Sequence, residues 1–239
     1  MSLKRLKRNL SAATGIALCI LLSLAPRAFA DARYDGERAY WGVGASVNKT
    51  DYLSEEVMRG LFNDAFFSPA NRRRGATSYN GVIRRFDDAD SGFKVFWGYS
   101  VNKLWDWEVG YVDLGSALAV YEANDIVGPW SAADIEANSW NRGFFGHVQY
   151  SPDVTDHFEV MVRLGVLRWD ARRESVFRTR DPDERLNKVE ETRGSYDEYF
   201  GVGMAWHINN KYALRADADR YHLGEAETGV LTISVLAYF

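Results

Sequence analysis

Four histidines, His147, His157, His207 and His222, are the residues in this chain best suited to proton transfer. A Ser–His–acid set would support nucleophilic acyl transfer. His147 and Ser151 have the same strand parity, but they fall at the end of the molecule that also holds His157 and His207; His222 falls at the opposite end, with no serine at close spacing in its own segment. No triad is assembled, and no enzyme is expected. Dispersed histidines and a single cysteine, Cys19, form no metal-ligand cluster, so neither a metal nor a cofactor is expected. The charges carry more information. Lys94, Glu108, Glu159, Arg163, Arg215, Asp217 and Asp219 recur on one parity among glycines, as a paired internal charge network would require. Arg72, Arg73 and Arg74, followed by Arg84 and Arg85, offer guanidinium forks matched to phosphate oxygens. The competing reading of that cluster is a solvated loop whose arginines pair with Asp87, Asp88 and Asp90.

Positioning such charges takes strands. Eight alternating segments run over roughly 38–48, 91–101, 105–117, 138–151, 157–171, 196–208, 211–222 and 229–239. One face carries Trp41, Val43, Val47, Phe93, Val95, Phe144, Val162, Leu164, Phe200, Val202 and their like; the other carries glycine and isolated charges. Glycine and single charges make a poor wet surface and suit a narrow lumen. The apolar face therefore points outward. Pro69, Pro129, Pro152 and Pro182 all fall between segments, as residues lacking an N–H should. Connections alternate between short turns near 102, 152 and 209 and longer polar loops over 49–90, 118–137, 172–195 and 223–228. An aromatic marks the short-turn end of every segment: Tyr40/Trp41, Tyr99, Trp105/Trp107, Tyr150, Phe158, Trp206, Tyr212 and Phe239. If the Asn209-Asn210 turn sets the register, Gly201, Gly203 and Ala205 face Asp219, Asp217 and Arg215.

The first long connection contains a helical pattern. Leu53, Val57, Leu61 and Ala65, with Met58, Phe62 and Phe66, recur at i, i+4 spacing, and Asp51 or Ser54 is placed to cap a short helix lying across the barrel mouth or on the outer leaflet. Before the strands, Lys4, Arg5, Lys7 and Arg8, an apolar core from Gly15 to Leu24, and Ala28-Phe29-Ala30 read as a secretory signal peptide cut before Asp31. The expected division is thus 1–30 signal peptide and 31–239 barrel domain. Removal of the signal takes five of the 29 Lys+Arg and none of the 33 Asp+Glu, leaving a net charge of −9. That balance argues against nucleic acid as a partner.

The run Phe93-Lys94-Val95-Phe96-Trp97-Gly98-Tyr99-Ser100-Val101-Asn102, followed by Glu108-Val109-Gly110-Tyr111-Val112-Asp113-Leu114-Gly115, resembles the second hairpin of OmpA-like outer-membrane β-barrels. The match spans about 25 residues, and the sequence carries no counterpart of the periplasmic peptidoglycan-binding domain that follows the OmpA barrel. The final strand, with Leu231, Ile233, Val235 and Ala237 of one parity before Phe239, is similar to the closing strand of that family. There the terminal aromatic serves as the signal read by the barrel-assembly machinery.

The resemblance and the residues together imply an all-β, eight-stranded antiparallel up-and-down transmembrane barrel of the bacterial outer membrane, with a short helix in its first external loop. The expected role is structural or surface-interacting, with a plugged polar lumen and external loops contacting lipopolysaccharide, where Arg72, Arg73, Arg74, Arg84 and Arg85 are the candidate contacts. The alternatives are a narrow passive pore and, below it, a lipid A-modifying enzyme.

Overall fold

Period-two alternation of branched and aromatic residues with glycine, small polar and charged residues builds the molecule from strands. The computed structural model describes residues 38–50, 54–67, 78–87, 89–127, 133–179, 187–224 and 226–239. Its strands are β1 (Arg38–Thr50), β2 (Ser78–Asp87), β3 (Ala89–Ser100), β4 (Trp105–Val127), β5 (Ala133–Tyr150), β6 (Asp153–Thr155), β7 (Phe158–Thr179), β8 (Asn187–His207), β9 (Tyr212–Leu223) and β10 (Ala226–Tyr238). One helix, α1 (Glu55–Phe66), stands among them. The expected signal peptide and residues Arg72 to Arg74 lie outside the described residues.

Eight strands close a ring, each antiparallel to the next: β1, β3, β4, β5, β7, β8, β9 and β10, with β10 returning to β1. The seam joins the first and last strands of the ring, from Tyr40 opposite Tyr238 to Thr50 opposite Thr228. Closure leaves the ring without an edge. Strand β2 continues β3 above a one-residue break, and both pair with β4. Strand β6 is a three-residue addition beside the start of β7.

Strand length is where the structure departs from the alternation. Crossing a bilayer takes about 9–11 tilted residues, which β1, β9 and β10 exceed only slightly, at 13, 12 and 13 residues. Strands β4, β5, β7 and β8 run to 23, 18, 22 and 21 residues. Most of the expected loops 118–137 and 172–195 is therefore strand, as is 78–87 within the expected loop 49–90. Beyond the apolar band the outward faces gain charged residues while the inward faces of β4 and β5 carry mostly alanine, so the contrast that marks a strand in sequence fades. A tall wall of β2, β4, β5, β7 and β8 rises on one side of the mouth, above a low rim of β9, β10 and β1.

Helix α1 covers the mouth side of that wall. Ser54 caps it, its hydroxyl accepting from the Val57 N–H at 3.4 Å. Met58, Phe62 and Phe66 are fully buried against Ala117, Ala119, Tyr121 and Ala123 of β4, Ala133, Ile135 and Ala137 of β5, and Phe177 of β7. These wall residues continue the lumen-facing side of β5 and β7. On β4 they do so only because of a bulge between Asp113 and Ser116, where Gly115 adopts φ +72° and inward parity passes from Val112 and Leu114 to Ala117. Asp113 Oδ1 accepts from the Gly115 N–H at 2.8 Å, and Asp90 Oδ2 takes both the N–H and the hydroxyl of Ser116, at 2.9 and 2.6 Å.

Candidate functional site

The barrel is inside-out by the standard of a water-soluble protein. Leu164, Phe144, Leu231 and Ile233 are more than 60% exposed on its outer surface, while Lys94 and Arg215 are 0% exposed within it. An eight-stranded barrel leaves an interior that side chains can just fill. Here arginines are among the largest of them.

The register of β8 against β9 makes the room. Gly201, Gly203 and Ala205 face Asp219, Asp217 and Arg215, the pairing expected from sequence, with the turn spanning three residues, 209–211, closed by the Ile208 N–H on the Tyr212 carbonyl at 3.0 Å. Arg163 makes a short ion pair with Asp217 and lies 3.5 Å from Asp219. Lys94 Nζ reaches Asp219 Oδ2 at 3.2 Å and sits 4.6 Å from the Phe145 ring centre. Arg215 holds both oxygens of Glu108, one by a short ion pair and one at 3.2 Å, and donates through Nε to Asp217 at 3.1 Å. Three cations thus meet three carboxylates with almost no solvent contact. A buried charge is tolerable only on such terms.

Three rings complete the network. The Tyr40 hydroxyl donates to Glu108 Oε1 at 2.7 Å, and His147 Nε2 stands 3.1 Å from Glu108 Oε2 while its Nδ1 makes a short contact with the Tyr199 hydroxyl. Tyr40 does not belong to the outer aromatic rim. It shares the inward parity of Gly42 and Gly44, a signal the sequence contained, and only Trp41 beside it points outward. Glu159 also differs from expectation: it faces His207 at 3.4 Å, nearer the short-turn rim, and takes no part in the central cluster. Close by, Asp106 accepts from Gln149 at 2.8 Å and Ser151 at 2.6 Å.

Apolar layers bound the charges on both sides. Toward the short-turn end, Tyr40 packs on Tyr238 with ring centres 5.1 Å apart, beside Leu236. Toward the mouth stand Val112, Leu114, Leu167, Trp169, Leu223 and Val230, all buried. Trp169 is fixed by its indole N–H, which donates to Asp197 at 2.6 Å. Above this layer α1 packs on the wall. What the arrangement does chemically is fill the lumen and neutralise itself.

The remaining candidates are dispersed. Arg84 pairs with Glu122 at 3.1 Å rather than with an aspartate of its own connection, and Arg85 is exposed on the same strand. On the outer face of the wall Glu190 accepts from Lys188 and Arg172, each at 2.9 Å, and these bonds hold its carboxyl below the usual range. His222 faces the Glu198 carbonyl and Glu227, and His157 the carbonyl of His207. Phe239 ends the chain with its N–H on the Ala39 carbonyl at 3.0 Å and its ring exposed outward. Among the described residues no helix is long and apolar enough to cross a membrane, and none of the His, Asp and Glu side chains form a metal-binding group.

Residues 15–239 match the family model described as an outer membrane protein beta-barrel domain. No curated protein matches the chain. Solved structures similar to it include the attachment invasion locus protein Ail of Yersinia pestis, at 10% identity and TM-score 0.44 over 85% of this chain and 99% of that one. Neisserial surface protein A is similar at 12% identity and TM-score 0.43, over 86% and 100% of the two chains. The outer membrane protein OprG from Pseudomonas aeruginosa is similar at 15% identity and TM-score 0.42, over 87% and 98%. With the family model spanning nearly the whole sequence, the chain belongs to the outer membrane protein β-barrel domain family and is a β-barrel of the bacterial outer membrane.

Proposed function

We propose that this protein is a surface scaffold: a closed, non-conducting barrel that anchors a tall extracellular wall, through which the cell meets lipopolysaccharide and its surroundings. The observation that carries the reading is the filled lumen. Lys94, Glu108, Arg163, Arg215, Asp217 and Asp219 are each no more than 3% exposed, and they are paired with one another between apolar layers. A path for solutes would need a continuous wet gap past these groups. The second support is the wall, where α1 and four strands share a core of their own outside the membrane band. A rigid platform suits recognition better than passage. Arg84 and Arg85, with Arg72 to Arg74, are assigned to phosphate groups of the lipopolysaccharide layer; export follows cleavage before Asp31, and the barrel-assembly machinery reads the strand ending in Phe239.

Single-channel recording in planar lipid bilayers tests the central claim. The expected trace stays at the empty-bilayer baseline after insertion of correctly folded protein. Steady conductance well above that baseline would replace the scaffold with a narrow pore. Mass analysis of lipid A from cells with and without the protein tests the enzyme alternative, and an acyl-chain difference would overturn the scaffold reading.

A further inference from the structure

On the outward faces of β4, β5, β7 and β8, directly above the apolar band, lies a groove of about 650 Å³ whose lining includes Asp113, Trp140, Arg142, Asp170, Arg172 and Glu174. Its level in the membrane is set by parity. Arg142 is two residues above Phe144, and Asp113 two above Tyr111, on the same outward faces. Phe144 is 66% exposed and Leu164, lower on β7, 68%. The groove therefore opens where lipid headgroups begin and acyl chains end.

Arg142 is the feature that points to a ligand. Aspartates face it from both neighbouring strands, Asp113 on β4 and Asp170 on β7, yet Arg142 makes no ion pair or side-chain hydrogen bond among the described residues. Both acids are turned elsewhere. Asp113 accepts from the Gly115 N–H of the bulge at 2.8 Å, and Asp170 Oδ1 lies over Gly194 on β8, 2.7 Å from where a β-carbon would stand. An exposed guanidinium is left with its donors open at the depth where outer-leaflet phosphates lie. Other outward arginines are engaged: Arg172 of β7 is held by Glu190, Arg220 of β9 by Glu227, and Arg168 of β7 lies 5.6 Å from the Tyr196 ring centre.

Trp140 supplies the second half of the site. It stands on the same face two residues above Arg142, opposite Arg172, with 43% of its surface exposed. A flat ring with an indole donor at the interface suits an amphipathic partner such as the face of a sugar. Carboxylates of the groove can accept from sugar hydroxyl and amide donors, which a simple phospholipid headgroup supplies sparsely. Below, Phe144 and Leu164 present an apolar wall to acyl chains.

We propose that this groove seats the headgroup of a phosphorylated glycolipid of the outer leaflet, of the lipid A class, with a phosphate on Arg142 and a sugar face on Trp140. The inference rests on the scaffold reading above and names the site by which that scaffold holds its lipid. It adds a contact on the barrel wall to those assigned to the arginines of the first long connection.

The test uses the full chain refolded in detergent, with native mass spectrometry titrating bisphosphorylated lipid A, enzymatically dephosphorylated lipid A and phosphatidylglycerol. Arg142→Gln, Trp140→Ala and, as a control farther out on the same face, Arg178→Gln are compared, each first shown to keep the boiling-dependent gel shift of the wild type. Loss of a charge-assisted contact should weaken lipid A binding about tenfold in Arg142→Gln and several-fold in Trp140→Ala, with Arg178→Gln unchanged. Wild-type protein should bind the dephosphorylated lipid as weakly as Arg142→Gln binds the phosphorylated one. Equal binding by Arg142→Gln and wild type overturns the site while leaving lipopolysaccharide contact elsewhere intact. Equal binding of phosphatidylglycerol and lipid A by the wild type overturns both the site and the lipopolysaccharide part of the scaffold reading.

Discussion

Arg215 touches both oxygens of Glu108 and one of Asp217, so its removal takes the guanidinium from Glu108 and leaves Asp217 with Arg163 alone. Arg215→Met is expected to cost about 3–5 kcal/mol, the range for breaking a buried pair from one side. Glu108→Gln combined with Arg215→Met should cost less than the sum of the two single changes, by about 0.5–3 kcal/mol. Urea midpoints of the refolded barrel in micelles measure this, and simple additivity would show that the two groups act independently. Close approach makes a second prediction. A β-carbon at Gly165 would stand 2.5 Å from the Gly146 carbonyl and 2.7 Å from the Tyr199 ring, whereas one at Gly229 meets nothing within 4 Å. Gly165→Ala should destabilise by about 1–3 kcal/mol, and Gly229→Ala should stay within about 0.5 kcal/mol of the wild type; equal midpoints for the two variants would refute the crowding. Residues of this kind were legible in sequence as far as parity reaches. Gly201, Gly203 and Ala205 could be set against their partners because a short turn, here the three residues 209–211, fixes register locally. Glu159 could not be matched to His207 in the same way, because partner choice depends on depth along the barrel and on which strands meet across it.

At the scale of elements, the membrane-spanning strands were readable because one face meets lipid and the other a polar lumen. The upper parts of β4, β5, β7 and β8 pass for loops in sequence because above the band the outward face gains charges and the inward face of β4 and β5 is mostly alanine. The bulge at Gly115 added a parity change that no alternation count reveals. Helix α1 was legible from its i, i+4 apolar stripe, and its seat on the wall follows from where Phe62 packs. That ring lies 4.6 Å from Tyr79, 5.4 Å from Tyr121 and 5.6 Å from Phe177, centre to centre. Phe62→Ala should cost about 3–5 kcal/mol of this outer core while the barrel keeps its resistance to detergent, because the two cores are separate clusters. Limited proteolysis should then cut near α1 in the variant well before the wild type. Equal cutting rates would mean that the helix is held by something else. The same core contains a pH-sensitive contact. The Tyr79 hydroxyl donates to Asn63 Oδ1 at 2.7 Å, and burial, reinforced by the adjacent Tyr121, raises its pKa to about 12. A phenol whose folded-state pKa is raised favours the folded state fully below its ordinary value near 10, and that preference is lost as pH climbs from about 10 through 12. Alkaline titration followed by proteolysis should expose α1 over that window in the wild type; an identical profile in Tyr79→Phe would sink the assignment.

The whole molecule is governed by one seam. Strand β1 meets β10 over the register from Tyr40–Tyr238 to Thr50–Thr228, so the ring exists only when the first and last strands of the barrel have found each other. Contacts that join chain ends are gained late, since the loop-closure entropy of everything between must be overcome first. Once closed, the ring has no edge from which unzipping can begin. Separating any one pair of strands leaves unmatched N–H and C=O groups facing lipid, at several kcal/mol each. Opening should therefore be cooperative and slow at room temperature in dodecyl sulfate, and rapid on boiling. The expected result is a compact, faster-migrating band in unboiled samples of membrane fractions, converted to the unfolded position by heat. Truncation before Gly229 removes most of β10 and leaves β1 and β9 with open edges, so it should abolish the compact band even though more than nine-tenths of the chain remains. A truncated protein that kept the full shift would mean that stability comes from the separate hairpins rather than from closure, and the filled, self-neutralising lumen would then have no continuous wall to hold it.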